Sequence, residues 1–408
     1  MAPELLPFVL SLLLLLPVAR VLAAEAFVGV AANGSLVLQP GGAQQVLVAG
    51  TDFGALVASV DKMADWHAEL EQNARRHCAV AVDTTTIADL HGGSDATWAG
   101  GVLAGNGLIY GMPYSATSVL IIDPATNTAD TTTITGLSGI WKWLGGVLAG
   151  NGKIYGIPAL SPSVLIIDTA TNTTDVTTIT GLDGDHKWNT GVLAGSGKIY
   201  GIPYGASSVL IIDPVTDTAD TTTVTGLNGA LGWVGGVLAG NGKIYGMPAS
   251  SSSVLIIDPT TNTADITTIT GLTGNGGKWY GGVLAYNDKI YGIPRDSDSV
   301  LIIDPKTNAI DTTTISGLGA GSKWLGGVLA GDGKVYGIPF GVSSVLIIDP
   351  ATNTASSVNF TRTPSQRWEG GVLANNGKIY GIPRVGPPPV LIVHQQCEVV
   401  YTMTKGLK

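Results

Sequence analysis

Seven tryptophans recur along the chain at intervals of 44 to 46 residues, and five of them directly follow a lysine or an arginine. An indole ring offers a broad apolar face on which sugars and other flat ligands can stack. The alternative interpretation is that each tryptophan is buried between two repeats, where it solves the same packing problem every time. The predicted ligand-binding residues are Trp98, Trp143, Trp188, Trp233, Trp279, Trp324 and Trp368, with Lys142, Lys187, Lys278, Lys323 and Arg367 beside them.

Residue sets that would carry catalysis are scarce. The five histidines are scattered and form no H-E-x-x-H pair, and the chain contains neither a G-x-S-x-G elbow nor a P-loop. The glycine-rich turns lie in hairpins with no helix behind them, so they offer no helix N-terminus to a phosphate group. The sequence therefore predicts no catalytic residue, no metal ligand and no cofactor.

Six aspartates close the repeated V-L-I-I-D segments, and they admit two interpretations. They could be calcium ligands, since a second Asp follows seven residues later in all but the last repeat. An Asp that opens a tight turn also accepts hydrogen bonds from the backbone N–H groups after it, and this favours a structural role. The residues are Asp123, Asp168, Asp213, Asp258, Asp304 and Asp349.

The composition excludes several classes of protein. Only 12% of the 408 residues are charged, against roughly a quarter in an average soluble domain, while 45% are hydrophobic. Such a chain has ample apolar surface to bury, which argues against disorder. The formal net charge of −9 argues against a nucleic-acid-binding protein, which needs a basic surface. Two cysteines are too few for a disulfide-dense scaffold or a four-cysteine zinc site.

A repeat of about 45 residues organises most of the chain. In the second repeat four β-prone runs cover residues 146–149, 153–158, 163–168 and 175–180, and the Gly-Asn-Gly between the first two suits a tight hairpin turn. Four antiparallel strands in a unit of this length predict an all-β, seven-bladed β-propeller over residues 78–397. A strand exchange should close the ring, because residues 82–87 repeat the fourth-strand text and the last repeat lacks its own fourth strand.

The two cysteines fall at the predicted seam of this ring. Alignment of the repeats places Cys78 and Cys397 in the same third-to-fourth hairpin of the composite blade. This placement favours a disulfide between them, which fits an oxidising compartment. The alternative is two unrelated cysteines.

The N-terminal residues are typical of a secretion signal. Residues 5–18 are apolar but too short to span a hydrocarbon core of about 30 Å comfortably, so residues 1–24 are predicted to be a signal peptide, with an uncleaved anchor as the alternative. Residues 25–77 are predicted to form a hairpin followed by an amphipathic helix, and residues 398–408 a C-terminal tail. We expect a secreted or cell-surface protein, N-glycosylated at Asn33, Asn172 and Asn359.

The repeats differ from one another mainly in two sets of loops. Loops from the second to the third strand, and from the fourth strand to the next repeat, emerge on one face of a propeller. These loops vary, as at residues 114–116, 204–206, 295–297 and 340–342, whereas the turns on the opposite face are nearly constant. Functional diversity on a constant scaffold belongs in such loops, so we place ligand binding on the variable face.

The repeat text resembles a known family. Residues 119–128 read V-L-I-I-D-P-A-T-N-T and follow G-V-L-A-G-N-G-L-I-Y, which is similar to the YVTN-type β-propeller repeat over about residues 79–397. The chain departs from that family in its W-x-G-G entry and in Y-G-I-P where Y-V-A-N is usual, and Kelch repeats are a looser match. The resemblance implies an extracellular or surface propeller with a scaffold or binding role and carries over no catalytic residue.

The sequence therefore favours a non-catalytic extracellular binding protein, in particular a multivalent, lectin-like glycan binder. A protein–protein interaction or cell-surface scaffold is the main alternative, and an enzyme with a site in the central channel is a more distant one. The expected partner is a glycan or an extracellular protein. Similar pockets between blades would favour the lectin, a continuous apolar patch the scaffold, and a ring of buried histidines or carboxylates the enzyme.

Overall fold

The structure, a computed structural model, describes residues 27–30, 36–39, 46–48, 78–88, 90, 98–227, 232–274, 276–385 and 389–397. The predicted signal peptide, amphipathic helix and C-terminal tail lie outside the described residues. Across the described ranges, no helix is long and apolar enough to cross a membrane. The chain divides into two units, of which the larger is Ala79–Gln396.

The smaller unit contains, within its described ranges, a three-stranded antiparallel sheet of β1 (Phe27–Val30), β2 (Leu36–Gln39) and β3 (Val46–Val48). Leu36 pairs with Val48, so β2 and β3 form the hairpin that the sequence predicts. β1 pairs with the other edge of β2 and is a strand that the sequence analysis does not predict.

Within the described residues of the larger unit and its two flanking cysteines, the repeats form seven four-stranded sheets, the blades of a propeller. The fold class predicted from the sequence is confirmed. In each blade the first strand of the repeat lies innermost, and neighbouring first strands contact one another around the axis. The axis is therefore surrounded by the strands that begin at the repeated tryptophans.

The strand bounds follow the repeat. The first blade comprises β5 (Trp98–Leu103), β6 (Ile109–Pro113), β7 (Leu120–Asp123) and β8 (Thr128–Asp130). The second comprises β9 (Trp143–Leu148), β10 (Lys153–Pro158), β11 (Leu165–Asp168) and β12 (Thr173–Asp175). The third comprises β13 (Trp188–Leu193), β14 (Ile199–Pro203), β15 (Leu210–Asp213) and β16 (Thr218–Asp220). The fourth comprises β17 (Trp233–Leu238), β18 (Ile244–Pro248), β19 (Leu255–Asp258) and β20 (Thr263–Asp265). The fifth comprises β21 (Trp279–Leu284), β22 (Ile290–Pro294), β23 (Leu301–Asp304) and β24 (Ala309–Asp311). The sixth comprises β25 (Trp324–Leu329), β26 (Val335–Pro339), β27 (Ser344–Asp349) and β28 (Thr354–Asn359). The seventh comprises β29 (Arg367–Leu373), β30 (Ile379–Val385), β31 (Leu391–Cys397) and β4 (Cys78–Asp83).

The ring closes by the predicted strand exchange. β4 precedes the first blade in the chain and pairs with β31 as the outermost strand of the seventh. Beyond β4, the backbone N–H of Val390 donates to the carbonyl of Ile87 over 2.9 Å. Cys78 begins β4 and Cys397 ends β31, but their side chains lie outside the described residues, so the disulfide stays a prediction.

The hydrophobic core is divided among the interfaces between neighbouring blades. In one of them Tyr155 and Ile157 of β10 pack with Trp188 of β13 and Ile199 of β14, which belong to the next blade. Burial of each such side chain contributes about 1.5–3 kcal/mol. Each blade is therefore held mainly by its neighbours, and the arrangement of the side chains is the same around the ring.

The fourth strand of the second blade differs from the sequence prediction. In the second blade β12 ends at Asp175, and residues 176–179 form a bend where a strand over residues 175–180 was predicted. The Oδ1 atom of Asp175 accepts hydrogen bonds from the backbone N–H of Thr177 over 2.6 Å and from its hydroxyl over 2.8 Å. These bonds and those from Thr178 lower the pKa of Asp175 to about 2. The strand propensity of threonine is overridden because the carboxylate offers the backbone other partners.

The six aspartates that close the V-L-I-I-D segments stabilise turns. In each, Oδ1 accepts a hydrogen bond over 2.8–3.0 Å from the backbone N–H two residues later, as between Asp168 and Ala170. Among the described residues, no three His, Cys, Asp or Glu side chains are grouped so that they could hold a metal ion. The geometry therefore supports the structural interpretation of these residues.

Candidate functional site

The repeated tryptophans do not face a ligand site, which corrects the sequence prediction. Their side chains are 0 to 5% exposed. Each indole N–H donates to a backbone carbonyl 20 or 21 residues later, over 2.7–2.8 Å. Both faces of the ring lie in the packing between blades, so no sugar can stack on them. The corrected residues are Trp98, Trp143, Trp188, Trp233, Trp279, Trp324 and Trp368.

The lysines that precede four of these tryptophans are also buried, and their ammonium groups bind the backbone carbonyls of neighbouring loops. The Nζ atom of Lys142 donates to the carbonyls of Ala116 over 2.9 Å and Gly139 over 2.7 Å. Burial lowers the pKa of Lys142 to about 8. Backbone carbonyls satisfy the ammonium groups, so the lysines position the variable loops instead of meeting a ligand. The four are Lys142, Lys187, Lys278 and Lys323, each 3 or 4% exposed.

The variable loops do converge, at the mouth of the central channel. Here they and the starts of the inner strands surround an open cavity of about 310 Å³, which we call the axial bowl. Its lining residues are Tyr114, Leu144, His186, Asn189, Tyr204, Tyr280, Arg295, Leu325, Phe340, Glu369 and Arg384. The bowl combines aromatic faces with charged groups in one place, which is the usual composition of a small-ligand site.

One side of the bowl carries a row of four aromatic rings, which we call the rim ladder. Tyr114 stacks on Trp141 with ring centroids 6.3 Å apart, Trp141 lies 5.4 Å from His186, and His186 lies 6.5 Å from Tyr204. Trp141 remains 42% exposed. The rim ladder therefore offers an accessible aromatic surface that the buried repeat tryptophans do not.

Two members of the rim ladder have a strained backbone. The φ angles of Trp141 and His186 are +53° and +48°, a region that side chains with a Cβ atom avoid. Both residues lie two positions before a repeat tryptophan, and the fifth blade has Gly277 with φ +87° at the same place. Strain of this kind costs about 1–3 kcal/mol and is typical of functional positions.

Two guanidinium groups of the bowl lie over aromatic rings, one of them the ladder residue Tyr114. The Cζ atom of Arg384 lies 3.5 Å from the ring centroid of Tyr114, and that of Arg295 lies 4.7 Å from the ring centroid of Tyr280. The Nε–H of Arg384 donates to Glu369. Burial raises the pKa of Tyr280, so its hydroxyl stays protonated and can donate.

Arg367 is the one predicted binding residue that lies beside the bowl with part of its surface accessible. Its Cζ atom lies 4.9 Å from the ring centroid of Phe340. No described carboxylate forms an ion pair with it. It therefore adds positive charge next to the ring that it covers.

Below the bowl the channel narrows to a cavity of about 80 Å³. Glycines of neighbouring inner strands face each other there, and a Cβ atom on Gly235 would lie 2.6 Å from the Cα atom of Gly281. Thr190 occupies the corresponding position in the third blade. Because the backbones approach so closely, only glycine fits at most of these positions. The channel is narrow here, so a ligand held in the bowl lies at its mouth.

The constant face of the propeller is explained by contacts between blades. The hydroxyl of Tyr110 donates to the Oδ1 atom of Asn172 in the next blade over 2.7 Å, and Asn172 has a φ of +53°. The same bond recurs around the ring. Asn172 thus has a structural role, while Asn359 is exposed at the end of β28 and Asn33 lies outside the described residues. Glycosylation of all three stays a prediction.

Several residues of the bowl and of the rim ladder are not among the predicted binding residues. Trp141, His186, Tyr280, Glu369 and Arg384 do not belong to the repeated text. The signal that could have found them is their departure from the repeat at positions next to the variable loops. The predicted binding residues are those that the repeats share, whereas the bowl is built mainly from residues that differ between repeats.

Comparisons with known proteins support the fold. No protein-family model matches the chain, and no curated protein matches its sequence. Virginiamycin B lyase from Staphylococcus aureus is similar in structure, with a TM-score of 0.62 and 10% identity over 78% of this chain and 99% of that one. The extracellular domain of the BT4673 system of B. thetaiotaomicron has a TM-score of 0.55 at 10% identity, over 90% of this chain and 46% of that one. YCF48 bound to a D1 peptide has a TM-score of 0.57 at 12% identity, over 78% of this chain and 94% of that one.

The chain is a β-propeller. At identities of 9 to 12% these likenesses show the propeller fold and nothing finer. The resemblance to YVTN repeats is matched by no family model and stays a resemblance. The axial bowl is therefore the basis on which a ligand for this propeller is proposed.

Proposed function

We propose that this protein is a non-catalytic binding propeller, secreted or displayed at the cell surface, that holds a saccharide in the axial bowl. The observation that carries this proposal is the convergence of the rim ladder and the arginine-covered rings on one cavity lined by the variable loops. Sugar rings present apolar C–H faces that stack on aromatic side chains, and their hydroxyls bond to the polar groups between them.

The proposal differs from the sequence expectation in the number of sites. Seven equivalent sites would need the repeated indoles, and these are buried. The bowl lies on the axis, so one propeller offers one such site. We therefore expect one ligand per chain, with no gain in avidity from the repeats themselves.

The extracellular location rests on the sequence signal and is supported by the extracellular domains among the similar structures. A protein partner is the second candidate function. It is favoured by Ile140, which is 64% exposed directly beside Trp141 and extends the apolar surface of the rim. The experiment below distinguishes a saccharide ligand from a protein partner.

The test is a glycan array probed with the secreted chain, followed by titration calorimetry of the best ligand. We expect binding with a stoichiometry near one, strongly weakened by Tyr204→Ala in the bowl. Tyr286→Ala is the matched control, because Tyr286 is 70% exposed in the β21–β22 turn on the opposite face. Silence across the array, or binding that Tyr204→Ala leaves intact, contradicts the proposal and leaves a protein partner to be sought at the rim.

A further inference from the structure

We propose, as a step that rests on the function above, that the axial bowl selects an acidic saccharide, one that carries a carboxylate or a sulfate, and that Arg295 binds the acidic group. A guanidinium group has five N–H donors in one plane and matches such oxyanions in geometry.

Arg295 is held in place by its ring contact. Its guanidinium group lies over Tyr280, and its side chain is only 26% exposed. Its backbone carbonyl accepts the Nζ–H of the buried Lys323 over 2.9 Å, so the loop that carries it is tied to the next blade. The arginine therefore presents a fixed donor group to the bowl without further ordering on binding.

The ion pair with Asp296 is the one polar contact that the described part of the chain gives to the guanidinium group of Arg295. Within the described residues, its ion pair joins Nη1 to the Oδ2 atom of Asp296 over 3.3 Å. Its Nε atom is buried without any described acceptor. Asp296 is itself shared, since its Oδ1 atom accepts the Ser322 hydroxyl over 3.3 Å. An oxyanion in the bowl would accept from the terminal N–H groups of Arg295 that its ion pair with Asp296 does not use.

The charge of the bowl favours an anion, although the chain as a whole carries −9. Glu369 is the carboxylate among the lining residues, and Arg384 neutralises it. Arg367 lies on Phe340 at the edge of the bowl and adds a further cation. Arg295 is paired with Asp296, so among these groups Arg367 leaves an excess of one positive charge, which opposes the charge of the protein and favours acidic ligands.

The rim ladder supplies the second half of the recognition. Trp141 is exposed, lies 5.4 Å from the ring of His186, and is kept at a strained φ where the fifth blade has glycine. His186 and Arg295 line the same cavity. One ligand can therefore place a sugar ring against the ladder and its acidic group against Arg295. A free inorganic anion would use only the second of these contacts.

The experiment compares two pairs of probes by calorimetry on the secreted chain. The first pair is trigalacturonate and its methyl ester, which have the same rings with and without charge; the second is a sulfated galactan trisaccharide and its desulfated form. We expect the acidic member of one pair to bind about tenfold or more tightly than its neutral counterpart. The pair that shows the difference identifies the group as carboxylate or sulfate.

The variant Arg295→Gln should abolish this difference. Lys306→Gln, which removes a cation paired with Asp288 on the opposite face, should retain it. If Arg295→Gln does not fold, the wild-type comparison and Arg295→Lys, which keeps the charge and loses the planar fork, decide the matter. Equal affinity for acidic and neutral probes overturns the acidic ligand and leaves the saccharide function. Absence of any saccharide binding overturns both.

Discussion

The hydroxyl of Tyr380, in the seventh blade, donates a hydrogen bond over 2.7 Å to the Oδ1 atom of Asn127 in the first. The two residues are 253 positions apart, yet their contact repeats the bond between Tyr200 and Asn262, which lie in consecutive blades. The seam of the ring is therefore built like its other joints on this face. This bond links the seventh blade to the first independently of the strand exchange.

Removal of this bond should destabilise the ring at least as much as removal of its internal counterpart. We expect Tyr380→Phe and Tyr200→Phe each to lower the free energy of unfolding by about 1 kcal/mol for each hydrogen bond lost, and Tyr380→Phe also loses the bond that its hydroxyl accepts from the Nδ2–H of Asn376 over 3.0 Å. Denaturant titration followed by tryptophan fluorescence measures both. If Tyr380→Phe costs nothing while Tyr200→Phe does, the seam is not closed by this bond in solution.

The strain at His186 can be measured with a pair of substitutions. His186→Gly and His186→Ala both remove the ring, but only alanine keeps a Cβ atom at φ +48°. We expect the glycine variant to be more stable than the alanine variant by about 1 kcal/mol. The free energy of unfolding of the two variants gives the difference.

Ser322 provides the control, because it lies at the equivalent position of the sixth blade and is not among the described residues with positive φ. There the order should reverse, with Ser322→Ala more stable than Ser322→Gly, because glycine loses more backbone entropy on folding. The same order at both sites would contradict a strained rim.

Lys142 should make stability depend on pH in the alkaline range. Its pKa is about 8 in the folded chain because burial disfavours the ammonium, against an ordinary 10.5. Between these values the unfolded chain binds a proton that the folded chain has released, so stability rises with pH. From pH 8 to pH 10 the wild type should gain about 2 kcal/mol relative to Lys142→Met, which has no group to titrate. Free energies of unfolding at several pH values test this, and a constant difference would refute it.

Trp143→Ala and Trp141→Ala should affect different properties, stability in the first variant and saccharide affinity in the second. Trp143 is 3% exposed, so its truncation should cost about 3–5 kcal/mol of stability and leave the ligand affinity of the folded protein unchanged. Trp141 is exposed on the rim ladder, so its truncation should weaken saccharide binding with little loss of stability. Thermal melting and calorimetry on both variants measure the two properties. Loss of affinity in folded Trp143→Ala would restore the repeated indoles as binding residues.

Much of the fold could be predicted because it is encoded locally and many times over. The turn at residues 150–152 needs only Asn and Gly, and the K-I-Y-G-I-P text that forms β10 recurs with small variations in every repeat. Closure could be predicted because residues 82–87 repeat the fourth-strand text ahead of the first blade and the last repeat lacks that text. The end of β12 could not, because the competition between strand pairing and the Asp175 carboxylate is decided by backbone geometry.

The sequence by itself determined the number of blades, their strand order, the exchange that closes the ring and the face that varies, since all of these follow from a pattern repeated along the chain. Only the tertiary structure decided that Trp143 and Lys142 are buried, because the residue type does not show whether an indole or an ammonium group contacts a ligand or a neighbouring blade. The same holds for the bowl. Tyr114 and Arg384 are 270 residues apart in the sequence, and their contact over 3.5 Å exists only because the seventh blade returns to the first.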